Sequence, residues 1–140
     1  MSKSGPIIIL EDDQDDRQFM EKIFSMLGVG NERIYFENGL DAYAYLTETN
    51  KSIFIIFSDV NLPGRNGLDL KKDIDKDPLL RPKSIPFVFY STTARREQIN
   101  EAYSEMTIQG FFKKENSLAD AKEMIATILA YWRLCKHPNM

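Results

Sequence analysis

The sequence predicts an α/β domain built on a doubly wound, five-stranded parallel sheet. Three observations predict it. Short, continuously apolar runs alternate with longer stretches whose apolar residues recur at helical spacing. Five such strand-then-helix units follow one another, which is the pattern of a parallel sheet covered by helices on both faces. The chain has 140 residues, enough for one core and too few for two. It is therefore read as one domain, residues 1–140, with a core over about 6–134.

Taken in order, "PIIIL" (6–10) is the first strand. It is apolar without alternation, as a strand buried on both faces must be. Phe19, Met20, Ile23, Phe24 and Leu27 then recur along a first helix, which Gly28 and Gly30 end. "RIYFE" (33–37) is the second strand. "GLDAYAYLTE" places Leu40, Tyr43 and Leu46 along one face of a second helix. "IFIIFS" (53–58) is the third strand. A short helix follows near Leu68 to Lys76, and Pro78 stops it. "IPFVFYS" (85–91) is the fourth strand, and Ile99, Ala102, Tyr103 and Met106 fit the helix after it. "GFFKK" (110–114) is a short fifth strand. Leu118, Ala121, Ile125, Ile128, Leu129 and Trp132 make the clearest amphipathic helix in the chain.

Composition narrows the chemistry. Eighteen basic and 21 acidic residues leave a net charge of −3, and the basic residues are dispersed, which argues against direct nucleic-acid binding. A single cysteine, Cys135, rules out an intrachain disulfide or a Cys-based metal cluster. A single histidine, His137, lies near the C-terminus, which argues against a His-based triad or zinc site. The first apolar run is too short for a signal-peptide core or a membrane span. The expectation is a cytoplasmic protein without a membrane partner.

In sheets of this kind, ligands sit outside the carboxyl ends of the strands. The first strand ends at Glu11, Asp12 and Asp13, and the third at Asp59. The fourth ends at Ser91, Thr92 and Thr93, and the fifth at Lys113 and Lys114. Taken singly, each has a plain reading. Asp59 before Pro-Gly is a turn residue, Ser91 a helix cap and Lys114 a solvated lysine. Glu11 and Asp12 belong equally to an acidic helix start. Asp13, Asp15 and Asp16 are read as that alone. Together they describe a rim where carboxylates, a hydroxyl and an ammonium crowd. Carboxylates so close repel one another unless a cation compensates. Oxygen-only ligands favour Mg²⁺ or a similar hard ion such as Mn²⁺. That set suits phosphoryl chemistry, with a carboxylate able to serve as nucleophile.

The same residues carry a family resemblance over roughly Pro6 to Trp132. "IIILEDD", "NGLDAYAYL", "SDVNLPGRNG", "PFVFYST" and "GFFKK" together resemble the receiver domains of bacterial two-component response regulators, "SDVNLPGRNG" most specifically. The resemblance implies a flavodoxin-like (βα)5 fold with strand order 2-1-3-4-5. It implies that Asp59 accepts a phosphoryl group. Mg²⁺ would be held by Asp12, Asp59 and the backbone carbonyl of Asn61, with Glu11 acting partly through water. Ser91 and Lys114 would bind the phosphoryl oxygens, Lys113 being the rival for Lys114. Ser91 and Phe111 would form a switch, and Asn61 and Thr93 would tune the hydrolysis rate. Several positions depart from the family's common pattern: Glu11 replaces the more usual Asp, Ser91 the common Thr and Phe111 the frequent Tyr. Thr92 stands where Ala or Gly is usual. Glu115 stands where Pro is typical, and a trans peptide bond is expected before it.

The partners so implied are a sensor histidine kinase or a His-phosphotransfer protein upstream, and an unidentified protein downstream. The downstream protein would read the face of the fourth helix, fifth strand and fifth helix. A homodimer through that face is a further expectation. The chain reads as a stand-alone receiver and not as an enzyme with small substrates. Rival readings are a non-phosphorylated docking module of the same fold, a Mg²⁺-dependent phosphohydrolase and an FMN carrier. Asn61 replaces the second acid that such phosphohydrolases place two residues after the nucleophile. The acidic rim would repel the phosphate of FMN. Trp132 is assigned to the core, and Tyr131 and Leu134 are candidates for an interface.

Overall fold

The computed structural model describes residues 3–92 and 94–136. Among them, five β-strands and five α-helices alternate: β1 (Ile7–Leu10), α1 (Gln14–Met26), β2 (Arg33–Phe36), α2 (Gly39–Glu48), β3 (Ile55–Ser58), α3 (Gly67–Lys76), β4 (Phe87–Ser91), α4 (Arg96–Glu105), β5 (Phe111–Lys113) and α5 (Leu118–Leu134). A 3-10 turn, Arg81–Lys83, precedes β4. All strand pairs are parallel, in the order β2-β1-β3-β4-β5. Each predicted strand is present. The predicted ends shorten by one or two residues where the ladder stops. No described helix is long and apolar enough to cross a membrane.

Alternation along each strand divides the core into two layers. Ile8 and Leu10 of β1, Ile56 of β3, and Phe87 and Phe89 of β4 pack with Ala42, Leu46, Leu70, Ile74 and Ala102 from α2, α3 and α4. Ile7 and Ile9, Ile55 and Phe57, and Val88 and Tyr90 face the other way. They meet Met20, Ile23 and Phe24 of α1 and Ala121, Ile125, Ile128 and Leu129 of α5. The central strands therefore bury both faces, which is why they read as unbroken apolar runs.

The helix ends follow local chemistry. The Asp13 carboxylate accepts from the backbone N–H groups of Asp15 and Asp16 and starts α1. The same helix closes in a Schellman turn. The Val29 N–H donates to the Phe24 carbonyl and the Gly28 N–H to that of Ser25, with Gly28 at φ +68°, a conformation that favours glycine.

Two apolar residues that recur at helical spacing lie outside the core. Leu40 is 64% exposed and Tyr103 58%. On α2 the buried positions are Gly39, Ala42 and Leu46. Leu40 lies two residues from Ala42, about 200° around the helix, so it points outward. On α4 the buried positions are Gln98 and Ala102, one turn apart, which leaves Tyr103 about 100° off that stripe, while Met106 is buried just past the helix end. Apolar spacing alone missed that a glutamine, and not a tyrosine, completes this stripe. Trp132 packs partly buried against the α1–α5 layer, as assigned, while Tyr131 and Leu134 are exposed.

Candidate functional site

The sheet ladder places the site. Leu10 pairs with Ser58 across β1 and β3, so the next residue on each strand, Glu11 and Asp59, emerges at one rim. Ser91 pairs with Lys113, which brings Lys114 beside the end of β4. The ladder continues into the site residues themselves. The backbone N–H of Glu11 donates to the Phe36 carbonyl at 2.9 Å, that of Asp59 to Leu10 at 3.0 Å and that of Lys114 to Ser91 at 3.2 Å. Each functional side chain is therefore projected from a backbone that is still hydrogen-bonded as sheet.

Asp59 is the centre of the arrangement. Its Oδ1 accepts from the Ser91 hydroxyl at 2.9 Å and from the backbone N–H of Asn61 at 3.1 Å. Its Oδ2 accepts from the Lys114 ammonium at 3.0 Å. The same ammonium is paired with Glu11 Oε1 and reaches Asp16 Oδ2 at 3.2 Å. Lys114 is 8% exposed and Glu11 2%, whereas Lys113 is exposed. Geometry thus selects Lys114 over its neighbour. The bond to Glu115 is trans, as are all the described peptide bonds.

Burial pushes the Glu11 carboxyl up to about 7, against the pull of Lys114. Burial alone would lower the Lys114 ammonium. The Glu11 and Asp59 carboxylates outweigh it and hold the ammonium above the usual lysine range. One cation therefore serves three acidic side chains, and the rim remains short of positive charge.

The predicted nest of three carboxylates is only partly assembled. Glu11 and Asp59 converge, but on Lys114, while Asp12 is exposed beside them. Among the described residues no three acidic side chains are grouped closely enough to hold a metal ion. The donor chemistry still suits a hard divalent ion. The oxygens are carboxylate, no His or Cys is among these site residues, and the charge balance is negative.

The other predicted positions that the structure describes lie near this rim or behind it. Asn61 is exposed two residues beyond Asp59. Phe111 lies on the α4 side of the sheet, its ring 5.4 Å from that of Phe89, and is partly buried in the α2–α4 layer. Thr92 is exposed. Thr93 and His137 lie outside the described residues.

Sequence reasoning missed two participants. Asp16 was assigned to the helix start alone, yet its carboxylate reaches Lys114. Helical side chains lean toward the N-terminus, so a first-turn acid can be aimed back at the rim. Gln98 is buried and donates from Nε2 to Asn61 Oδ1 at 3.2 Å. Its position one turn before Ala102 was the available signal.

Comparison with known proteins shows the family and the fold. The model of the response regulator receiver domain matches residues 7–126. The response regulator Rcp1 of Synechocystis is 26% identical over 131 residues, covering 90% of this chain and 87% of Rcp1. The chemotaxis protein CheY-3 of Vibrio cholerae is 30% identical over 128 residues, covering 91% and 94%. Among solved structures, the phosphorylated cyanobacterial phytochrome response regulator RcpA superposes with a TM-score of 0.81 at 23% identity, covering 95% of this chain and 97% of that one. The Mn²⁺-bound form of Rcp1 gives 0.79 at 23%, covering 95% and 98%. At that identity the two structures establish the shared fold.

Proposed function

The chain belongs to the response regulator receiver domain family of two-component signalling, and from that premise we propose that Asp59 is its phosphoacceptor. The observation that carries the reading is the Asp59 carboxylate itself, whose two oxygens are held by donors from the ends of β4 and β5 and from its own loop. Such donors fix the rotamer of a nucleophile before its substrate arrives. Receiver domains are phosphorylated by histidine kinases and bind downstream partners. The group transferred here would come from a phosphohistidine on a sensor kinase or a phosphotransfer protein.

In the proposed step an Asp59 oxygen attacks phosphorus in line. A bond from that oxygen to phosphorus forms as the bond from phosphorus to the imidazole nitrogen breaks, and the nitrogen keeps the electron pair. The Ser91 hydroxyl and the Lys114 ammonium, already on Asp59, would turn to the new phosphoryl oxygens. Glu11, Asp12, Asp59 and the backbone carbonyl of Asn61 would hold Mg²⁺ or Mn²⁺. When bound, the ion supplies positive charge to the phosphoryl oxygens. The phosphorylated RcpA and the Mn²⁺-bound Rcp1 support both parts of the reading by their likeness in fold.

The output would follow the β4–β5 side. A Ser91 drawn toward the phosphoryl group leaves room that the Phe111 ring can enter, changing the face of α4, β5 and α5. That face, which carries the exposed Tyr103, would meet the downstream protein or a second copy of the chain. Asn61 and Thr93 would set the hydrolysis rate. The protein would act in the cytoplasm as a phosphoacceptor with slow self-dephosphorylation and not as a catalyst of small-substrate turnover.

Incubation with acetyl phosphate and Mg²⁺, followed by intact-protein mass spectrometry, tests the reading. A single phosphate adduct is expected on the wild type and none on Asp59→Asn. An unmodified wild type would favour a docking module that has lost its chemistry. Multiple-turnover phosphate release from small esters would favour a phosphohydrolase.

A further inference from the structure

Gln98 touches the loop of Asp59 without touching Asp59. It lies in the first turn of α4 and is 8% exposed, an unusual depth for a glutamine. Both ends of its amide are used. Oε1 accepts from the backbone N–H of Arg95 at 2.9 Å and caps the helix, while Nε2 donates to the side-chain Oδ1 of Asn61 at 3.2 Å. The first bond settles the second. An oxygen committed to an N–H leaves the amide nitrogen facing Asn61, and a nitrogen there demands that Asn61 present its oxygen. The backbone N–H of the same Asn61 donates to Asp59 Oδ1. An unbroken series of polar contacts therefore runs from the α4 cap to the carboxylate. A second tie, the ion pair of Lys72 with Glu101, holds α4 against α3 further along the helix.

We propose that Gln98 is a positioning residue that fixes the Asn61 amide beside the phosphoryl site and so couples the lifetime of the aspartyl phosphate to the N-terminus of α4. The inference rests on the reading of Asp59 as phosphoacceptor. Asn61 is exposed two residues beyond Asp59, beside the carboxylate that would carry the phosphoryl group, and its side-chain oxygen is held from α4 by Gln98. When α4 shifts, Gln98 releases Asn61. When Asn61 turns toward a phosphoryl group, the first turn of α4 loses half of the amide pairing that holds it in place. Hydrolysis rate and helix position become one equilibrium read at two points.

Gln98→Glu separates the two halves of the amide. A carboxylate still accepts from the Arg95 N–H, so the cap survives, but position 98 no longer offers a donor to Asn61 Oδ1. Asn61 must turn away or present its nitrogen to the new carboxylate, which frees its oxygen from α4 to accept from an attacking water. The dephosphorylation rate constant of protein charged with acetyl phosphate should rise about two- to tenfold, the span expected for one neutral hydrogen bond. In an Asn61→Ala background the same substitution should add nothing, because Gln98 acts through Asn61. An unchanged rate in the single variant, or a full effect in the Ala background, overturns the proposal.

Amide hydrogen exchange on the unphosphorylated protein decides the coupling independently. Asn61→Ala should speed exchange at Ile99, whose N–H closes the first turn of α4 on Arg95, although the two residues are far apart in sequence. Unaltered exchange there also overturns the proposal. Failure of the wild type to accept phosphate would instead remove the phosphoacceptor reading, with the exchange result still deciding whether Gln98 links Asn61 to α4.

Discussion

Gly67 opens α3 directly behind the site, and replacing it with alanine would press on Asp59 from the rear. A Cβ at this position would lie 2.2 Å from the Asp59 carbonyl oxygen, 2.6 Å from Ser58 Oγ and 3.1 Å from the Phe89 ring. A resting carbon–oxygen contact is about 3.3 Å, so the start of α3 and the end of β3 must part by about 1 Å. The Gly67 N–H also donates to the Val60 carbonyl at 3.2 Å, so the strain passes into the loop that carries Asp59 and Asn61. Overpacking of this size costs about 1–3 kcal/mol. The better helix propensity of alanine recovers less than about 1 kcal/mol at a first-turn position. A net loss of about 2 kcal/mol is expected, or about 5–8 °C in Tm for a chain of this length. The rate of phosphate uptake from acetyl phosphate should fall by about tenfold or more, because the nucleophile is displaced. Gly30→Ala is the control. Nothing lies within 4 Å of its Cβ position, so stability should change by no more than about 0.5 kcal/mol. Urea unfolding of both variants, with timed mass spectrometry, makes the comparison. A Gly67→Ala protein as stable and as readily phosphorylated as the wild type would refute the claim that close approach of α3 holds Asp59 in place.

Two other perturbations test the electrostatics. Lys114→Met leaves Glu11 buried without its cation and should lose about 3 kcal/mol in urea unfolding at pH 8. Added Mg²⁺ should recover more stability in this variant than in the wild type, because the ion supplies the missing charge. At the far end of the sheet, the Arg33 guanidinium holds the Glu21 carboxyl below the usual range, with contacts of 2.5 and 3.1 Å. A carboxyl whose folded pKa is depressed stabilises the fold above its unfolded value of 4.5, and that stability is lost as pH falls through the folded value. Arg33→Met should therefore be less stable than the wild type at pH 6, and the two unfolding curves should converge toward pH 3.

The sequence by itself determined the order of the elements, their approximate ends and the rim on which chemistry gathers. It could do so because strands buried on both faces leave continuous apolar runs, and because polar residues that stop such runs must lie at the strand ends. It also brought Glu11, Asp59, Ser91 and Lys114 together, since the carboxyl ends of neighbouring parallel strands lie along one edge of the sheet. The family resemblance preferred Lys114 of the two neighbouring lysines, and the tertiary structure supplied the physical reason. Lys113 and Lys114 are chemically equal, and the pleat sends one to solvent and the other to Asp59. Only the structure showed that Lys114 stands between Glu11 and Asp59, that Asp16 joins them from the first turn of α1, and that Gln98 reaches Asn61. Those are contacts between side chains far apart in the chain. No local periodicity encodes them, because each depends on where a neighbouring element comes to rest.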